Sequence, residues 1–229
     1  MLEHSTHKRI LIQILKDIYS DTSLAPFLGF KGGTAAYLFY HLDRFSTDLD
    51  FDLIHEGQED FVFDKITKLI KNYGTIKEAR KKRFSLFFLL SYQEKARTIK
   101  IEINRRVFCS QYTVRTFLGI SMLVMEKKDM FAHKLVAMEE RFGRTNRDIY
   151  DVWFFLKNNW PINEEIITNR TELSLKDFLK KCVRRLKKAS SRNILSGIGD
   201  LLNKEQKIWV KTHLLTDTLF LLALRESEL

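Results

Sequence analysis

The sequence contains little cysteine, proline and glycine, and no long apolar run. Its 2 cysteines, Cys109 and Cys182, have no zinc-like spacing and do not suggest a disulfide framework, which favours a reducing compartment. The 9 glycines and 2 prolines exclude a collagen-like chain or a flexible linker, and 45% hydrophobic residues allow a buried core. No apolar stretch is long enough to cross a bilayer, and residues 1–8 are too polar for a signal peptide. We therefore expect a soluble cytoplasmic protein.

Positive charge is in excess along the whole chain. The formal net charge is +10, and both halves of the sequence contribute to it, so no single basic tail accounts for the excess. A basic surface favours polyanionic partners such as nucleic acid. A solvated basic surface without a specific partner explains the same charge equally well.

Hydrophobic periodicity separates a mixed first part from a helical second part. In the first part we predict helices over residues 3–19, 34–42 and 59–73, with Thr34 as the N-cap of the second helix. Strands are predicted over residues 27–31, 45–53, 84–92 and 98–105, the last two joined by a loop at 93–97. In the second part only helices are predicted, over residues 126–141, 147–158, 174–188 and 204–224. The sequence thus predicts an α+β fold, with an α/β domain over residues 1–120 and a helical bundle over residues 121–229.

The most informative segment is Asp48-Leu49-Asp50-Phe51-Asp52. In an extended strand the three aspartates lie on one face, because side chains alternate. Carboxylates this close repel one another unless a positive charge lies between them, and a hard divalent cation takes oxygen ligands of this kind. The alternative is an exposed strand face with solvated carboxylates, although aspartate is depleted in strands.

Two further features support a metal and phosphate site. Gly32-Gly33 separates a short strand from a helix, and glycines at a helix start let backbone amides approach a phosphate; a plain turn is the alternative. Glu102 lies on the polar face of the strand at 98–105. If that strand pairs beside the acidic strand, the carboxylates converge on one or two Mg²⁺ ions. Otherwise Glu102 is a surface residue paired with Lys100 or Arg105.

The order of four motifs resembles a known family. They are Lys31-Gly-Gly-Thr34, Arg44-Phe-Ser-Thr-Asp48-Leu-Asp50-Phe51, His133-Lys-Leu-Val-Ala137 and Asn146-Arg-Asp148-Ile-Tyr-Asp151. Together they are similar to the AbiEii/AbiGii-type nucleotidyltransferase toxins, within the DNA polymerase β-like superfamily. The resemblance covers residues 27–156 and implies a polymerase β-like nucleotidyltransferase domain with a mixed sheet.

The resemblance also implies roles for individual residues. The triphosphate and nucleotide would be bound by residues of the first two motifs: Lys31, Gly32, Gly33, Thr34, Arg44 and Ser46. Asp48 and Asp50 would bind Mg²⁺, and Glu102 stands where the superfamily often has a third carboxylate. Asp52 falls just outside the motif, as a spare ligand or a surface residue.

The later motifs resemble a family lysine and a late aspartate. Lys134 would contact the nucleotide or support transfer, and either Asp148 or Asp151 is the late aspartate. A salt bridge between the two predicted helices, from Lys134 to one of these aspartates, is the alternative and is compatible with a functional role.

Two basic clusters remain outside these motifs. One is residues 80–83, and the other lies on the predicted helix at 174–188 and comprises Lys180, Lys181, Arg184, Arg185 and Lys188. A helix face of this kind can follow a nucleic-acid backbone, but it has no interleaved aromatic residues for base stacking. An ordinary solvated helix face is the alternative.

The leading hypothesis is therefore a Mg²⁺-dependent nucleotidyltransferase that uses an NTP. The resemblance implies transfer of an NMP to RNA, notably to a tRNA 3′ end, and a toxin neutralised by a separate antitoxin protein. NMP transfer to a protein or small molecule is the second hypothesis. The third is a non-catalytic module that binds RNA or a partner through a degenerate nucleotidyltransferase fold.

Overall fold

The chain forms two compact units. The computed structural model describes residues 4–93 and 98–229. The first unit contains the described residues up to Val107 together with Gln111–Met125, and the second contains Phe108–Ser110 and Glu126–Leu229. The sequence analysis divides the chain after residue 120. That position lies within a strand, Ile120–Met125, and the whole strand belongs to the first unit.

The first unit combines helices with a mixed sheet. Its helices are α1 (His4–Ser20), α2 (Gly32–Phe39) and α3 (Glu59–Ile70). Its strands are β1 (Leu28–Lys31), β2 (Leu49–Leu53), β3 (Thr75–Lys81), β4 (Ser85–Ser91), β5 (Ile99–Asn104), β6 (Tyr112–Phe117) and β7 (Ile120–Met125). Residue 3 of the first predicted helix and residues 94–97 of the predicted loop lie outside the described residues.

The strands form one sheet in the order β3-β4-β5-β2-β1-β7-β6. The central pair β1 and β2 is antiparallel, whereas β2 runs parallel to β5 and β1 runs parallel to β7. The outer strands β3 and β6 pair antiparallel with their neighbours. The mixed sheet predicted from the sequence is thus confirmed.

One face of this sheet is the hydrophobic core of the first unit. Phe30, Phe51, Phe88 and Ile101 on this face are completely buried. Helix α3 covers it, and the ring of Phe63 lies 5.0 Å from that of Phe88. Because side chains alternate along a strand, Asp50 and Glu102 point to the opposite face.

The second unit is helical throughout the part that the structure describes. Its helices are α4 (Lys127–Glu140), α5 (Arg147–Lys157), α6 (Glu164–Thr171), α7 (Leu175–Leu186), α8 (Lys204–Thr212) and α9 (Leu214–Ser227). The Ser174 hydroxyl caps α7 by accepting the Asp177 amide at 3.1 Å. Helix α7 buries Leu175, Phe178 and Leu179. None of the helices in residues 4–93 and 98–229 combines the length and apolarity needed to span a bilayer.

Several elements differ from the sequence-based predictions. Strand β2 begins at Leu49, so residues 45–48 are not part of it, and residues 204–224 form two helices separated at His213. Strands β3, β6 and β7 and helix α6 are absent from the prediction. The β6–β7 turn explains one omission: Leu118 and Gly119 both have positive φ, at 49° and 80°. Leucine is an unusual first residue for such a turn, so the sequence carries no standard hairpin signal.

Candidate active site on the first sheet

The double glycine at the start of α2 is packed against the side chains of the site. Gly32 has φ of +77°, and a Cβ at that position would lie 2.6 Å from Asp50 Oδ2. A Cβ on Gly33 would lie 2.9 Å from both Arg44 Nη2 and Ser46 Oγ. Glycine at both positions therefore lets the first turn of α2 pack directly against Asp50, Arg44 and Ser46.

The residues beneath these glycines support them. Thr34 is 3% exposed and lies within α2, so the prediction that it caps the helix is wrong; Lys31 is the N-cap. The Thr34 hydroxyl lies 2.9 Å from Ser46 Oγ and donates to the carbonyl of Asp48. Arg44 is 1% exposed and donates to the Phe45 carbonyl at 2.9 Å. In this structure Thr34, Arg44 and Ser46 therefore fix the loop that leads into Asp48.

The carboxylates line up across neighbouring strands. Asp50 is opposite Lys31 on β1 and opposite Glu102 on β5, so these side chains share one face. Asp48 comes immediately before β2 and, like Asp50, is partly exposed. The predicted pairing of the two strands is therefore present, and it brings Glu102 to Asp50.

A lysine that the sequence analysis did not assign to the site lies among these carboxylates. Lys100 Nζ is 3.0 Å from Glu102 Oε2 and 3.7 Å from Asp50 Oδ1. The other Glu102 oxygen accepts the Ser85 hydroxyl at 3.0 Å. Burial by itself would lower the pKa of Lys100, but the negative charges of Asp50, Asp48 and Glu102 outweigh it and raise that pKa above its usual value. The ammonium group is therefore held in its charged form.

Asp52 has a different environment from Asp48 and Asp50. It is 8% exposed, accepts the Asn104 amide at 2.7 Å, and is also bonded by Lys31 and the Tyr112 hydroxyl. Tyr112 reaches it across Gly29, where any Cβ would overlap the tyrosine ring. Asp52 is thus not a surface residue, and its ion pair also occupies Lys31.

The donor set around Lys100 suits a hard cation. Asp48, Asp50 and Glu102 offer only carboxylate oxygens, which is the chemistry that Mg²⁺ prefers. In the conformation described, no three histidine, cysteine or acidic residues within 4–93 and 98–229 are grouped closely enough to hold a metal. The positive charge among the carboxylates is instead that of Lys100.

In the second unit, Lys134 joins α4 to α5. Its Nζ lies 3.1 Å from Asp148 Oδ1 and 2.9 Å from Asp151 Oδ2. Both aspartates are fully buried, and Arg141 Nη2 reaches Asp148 Oδ1 at 2.9 Å. The interhelical salt bridge considered for one aspartate therefore involves both. Asp148 Oδ2 is buried without a hydrogen-bond partner among the described residues.

The basic face of α7 is partly neutralised by neighbouring carboxylates. Lys181 and Arg185 both lie 3.3 Å from Glu139 Oε1, and Lys180 lies 3.6 Å from Asp177. The remaining members of the predicted nucleic-acid face, Arg184 and Lys188, are exposed.

Comparison with known proteins identifies the family. The model of the nucleotidyltransferase AbiEii toxin family, of type IV toxin–antitoxin systems, matches residues 13–214. The chain belongs to the AbiEii family. It is therefore a nucleotidyltransferase, and membership implies an antitoxin as its partner. The match extends well beyond the motifs at residues 27–156 and includes most of the second unit.

Solved structures share the fold of this AbiEii family member. JHP933 from Helicobacter pylori matches it with a TM-score of 0.64 and 20% identity, over 100% of this chain and 94% of that one. A candidate nucleotidyltransferase from H. pylori matches with a TM-score of 0.61 and 20% identity, over 100% and 96% of the two chains. At this identity the likeness shows the fold alone. No curated protein matches the chain.

Proposed function

We propose that this AbiEii family protein transfers a nucleoside monophosphate from an NTP to the 3′ hydroxyl of an RNA, with a tRNA 3′ end as the acceptor. The observation that carries the proposal is the closeness of Gly32 to Asp50, whose Oδ2 lies 2.6 Å from the position that a Cβ on Gly32 would take. The N-terminus of α2, which favours a phosphate, therefore adjoins a carboxylate suited to Mg²⁺.

Each group in the first unit has a defined task in this reaction. The backbone amides of Gly32 and Gly33 bind the triphosphate, while Arg44 and Ser46 hold that turn from below. Asp48 and Asp50 hold Mg²⁺, with Glu102 as the further carboxylate on the adjacent strand. When bound, the metal neutralises the charge that develops on the phosphate oxygens.

The transfer forms one bond and breaks one bond. The acceptor oxygen attacks the α-phosphorus, a new P–O bond forms, and the bond from the α-phosphorus to the bridging oxygen of the β-phosphate breaks. Pyrophosphate leaves, and the hydroxyl proton passes to solvent. Such a reaction needs positioning and charge neutralisation more than covalent participation of side chains.

A labelling experiment tests the proposal. Purified protein is incubated with Mg²⁺, each α-³²P-labelled NTP in turn, and total bacterial RNA together with a protein extract. We expect label in small RNA with one NTP, and loss of that label in Asp48→Asn. Asp64→Asn, an exposed carboxylate on α3, is the matched control and should retain the activity.

The destination of the label decides between acceptors. Label in a protein band would show that the acceptor is a protein rather than RNA. Label in a small molecule would show that the acceptor is that small molecule. Absence of any label, together with absence of Mg²⁺-dependent NTP binding, would contradict the transfer reaction itself.

A further inference from the structure

The β3–β4 hairpin carries a surface of cations stacked on aromatic rings. Lys82 Nζ lies 3.3 Å from the centre of the Phe87 ring. The guanidinium groups of Arg83 and Arg106 lie 4.9 Å and 5.4 Å from the Phe84 ring. This surface includes part of the basic cluster at residues 80–83. The proposed transfer reaction assigns no role to that cluster. We call these five residues the hairpin surface.

Strand register brings Phe87 of the hairpin surface to the side of the sheet that carries the acidic residues. Phe87 is opposite Glu102, and Glu102 is opposite Asp50. Residues paired in this way point to the same side of a sheet. Phe87 therefore shares a face with the carboxylates, away from the core side on which Phe88 is buried. Arg106 extends this surface by donating to Asn104 Oδ1 at 3.2 Å.

The charges on the hairpin are unequally compensated. Arg80 pairs with Glu78 at 2.5 Å, and Lys81 pairs with Asp60 at 2.6 Å. In contrast, Lys82 and Arg83 form no ion pair with any carboxylate in residues 4–93 and 98–229. Lys81 also lies over a ring, at 5.1 Å from the centre of Phe63, but of these four cations only Lys82 and Arg83 combine such a ring contact with the absence of a carboxylate partner among the described residues.

The hairpin tip is held firmly while its aromatic residue remains exposed. The Lys82 amide donates to the Ser85 carbonyl at 2.7 Å, and the Arg105 amide donates to the Phe84 carbonyl at 2.9 Å. Phe84 is nevertheless 48% exposed. A fixed aromatic ring in a cationic surface is the arrangement with which proteins stack single-stranded bases and hold the phosphates between them.

We propose that the hairpin surface binds the single-stranded 3′ end of the acceptor RNA. Bases stack on Phe84 and Phe87, and backbone phosphates lie against Lys82, Arg83 and Arg106. This inference rests on the RNA acceptor of the proposed function and names the surface that holds it. Arg185 on the α7 face also lies over an aromatic ring, at 5.2 Å from the centre of Phe142, but Lys181 and Arg185 there already share Glu139.

Binding without catalysis tests the inference. The full-length protein is titrated into a short fluorescent single-stranded RNA in EDTA, and anisotropy gives the dissociation constant. Stacking of one base is worth about 1–3 kcal/mol, so Phe84→Ala and Phe87→Leu should each weaken binding about 5- to 150-fold. Lys82→Ala and Arg83→Ala should each reduce the salt dependence by roughly one phosphate contact.

The chain offers a matched control on the other face of the sheet. Phe61 on α3 is 37% exposed and has Lys65 Nζ 5.6 Å from its ring centre. Phe61→Ala removes the same kind of pair and should leave RNA affinity unchanged. Blunt duplex RNA, whose bases are already stacked, should bind Phe84→Ala and the unmodified protein equally. Circular dichroism and the melting temperature establish that each variant is folded.

The outcomes separate this inference from the proposed function. If the unmodified protein labels RNA but folded Phe84→Ala and Phe87→Leu bind it normally, the hairpin assignment is wrong and the transfer reaction stands. If the protein binds no single-stranded RNA and labels a protein instead, both the hairpin assignment and the RNA acceptor are wrong. Loss of single-strand binding in both phenylalanine variants, with Phe61→Ala unaffected, supports the assignment.

Discussion

Each unit of the protein has one lysine held by several carboxylates, and the two clusters differ in their exposure. Lys134 lies between Asp148 and Asp151, which are fully buried. Lys100 lies beside Asp50 and Glu102, whose side chains are 31% and 34% exposed. The first lysine neutralises carboxylates that solvent does not reach, whereas the second neutralises carboxylates that a ligand can still approach.

The difference in exposure indicates which cluster of lysine and carboxylates stabilises the fold and which one a ligand can reach. Removing one partner of a buried ion pair leaves a charge that neither water nor ligand can compensate. A partly exposed pair contributes little to folding, since water screens it, and its cation can be exchanged for another. The Lys134 cluster thus joins α4 to α5, and the Lys100 cluster keeps repelling carboxylates together at the proposed metal site.

The largest effect on stability is expected for Lys134→Met. It leaves two buried carboxylates without their common cation, which costs about 3–5 kcal/mol in other proteins. Urea unfolding followed by circular dichroism measures the change. If stability is unchanged while transfer is lost, Lys134 acts in the reaction and the buried cluster is not primarily structural.

The next effect concerns activity rather than stability. Asp50→Asn removes the charge of a proposed Mg²⁺ ligand at a partly exposed position, so the fold should persist while transfer falls about 100-fold or more. Labelled NTP incorporation measures the rate, and urea unfolding provides the comparison with Lys134→Met. A variant that unfolds easily would show that Asp50 belongs with the structural aspartates, as Asp52 does.

A single methyl group at the glycine turn should have an intermediate effect. Gly32→Ala places a Cβ where Asp50 Oδ2 now lies, and its φ of +77° costs about 1–2 kcal/mol for a residue with a side chain. We expect a modest loss of stability from this strain, and a lower transfer rate because the added methyl group displaces the Asp50 carboxylate. Gly57→Ala is the control, since it has φ of +80° and open space around it. If both variants lose the same activity, backbone strain and not the contact with Asp50 is responsible.

The smallest change in stability is expected for Lys100→Met. The pair is partly exposed, so we expect a loss of about 1 kcal/mol or less without metal. The remaining carboxylates repel one another more strongly, and divalent ions should therefore bind more tightly. Mn²⁺ binding followed by electron paramagnetic resonance measures this affinity. Weaker Mn²⁺ binding in the variant would show that Lys100 organises the carboxylates rather than replacing a cation.

The local part of the site was accessible from the sequence, and the cross-strand part was less so. The alternating aspartates Asp48 and Asp50 and the nearby double glycine are visible in the sequence, because these patterns involve only residues close together in the chain. Lys100 was considered only as a surface partner of Glu102, because the register that aligns Glu102 with Asp50 depends on pairing between distant strands. The burial of Asp52 has the same origin, since Tyr112 and Asn104 come from other strands.

Two of the elements missed in the sequence, β3 and α6, have weak apolar patterns. Strand β3 is mostly exposed, so its sequence shows no hydrophobic alternation. Helix α6 has 8 residues and buries only Ile166 and Ile167, too few to show a helical period. In contrast, α7 is a strongly amphipathic helix that buries one side, and its sequence shows the helical period clearly.

The strand order also leads us to expect a sequence of events during folding. Strands β1 and β2 pair within residues 28–53, a short segment that already contains the glycine turn and Asp50. Strand β5 joins β2 only after a much longer loop closes, which is entropically slower. Because β5 brings both Lys100 and Glu102, the growing sheet acquires its third carboxylate together with the cation that offsets it. The nascent chain is thereby spared a stage at which all the acidic groups of the site stand together without that lysine.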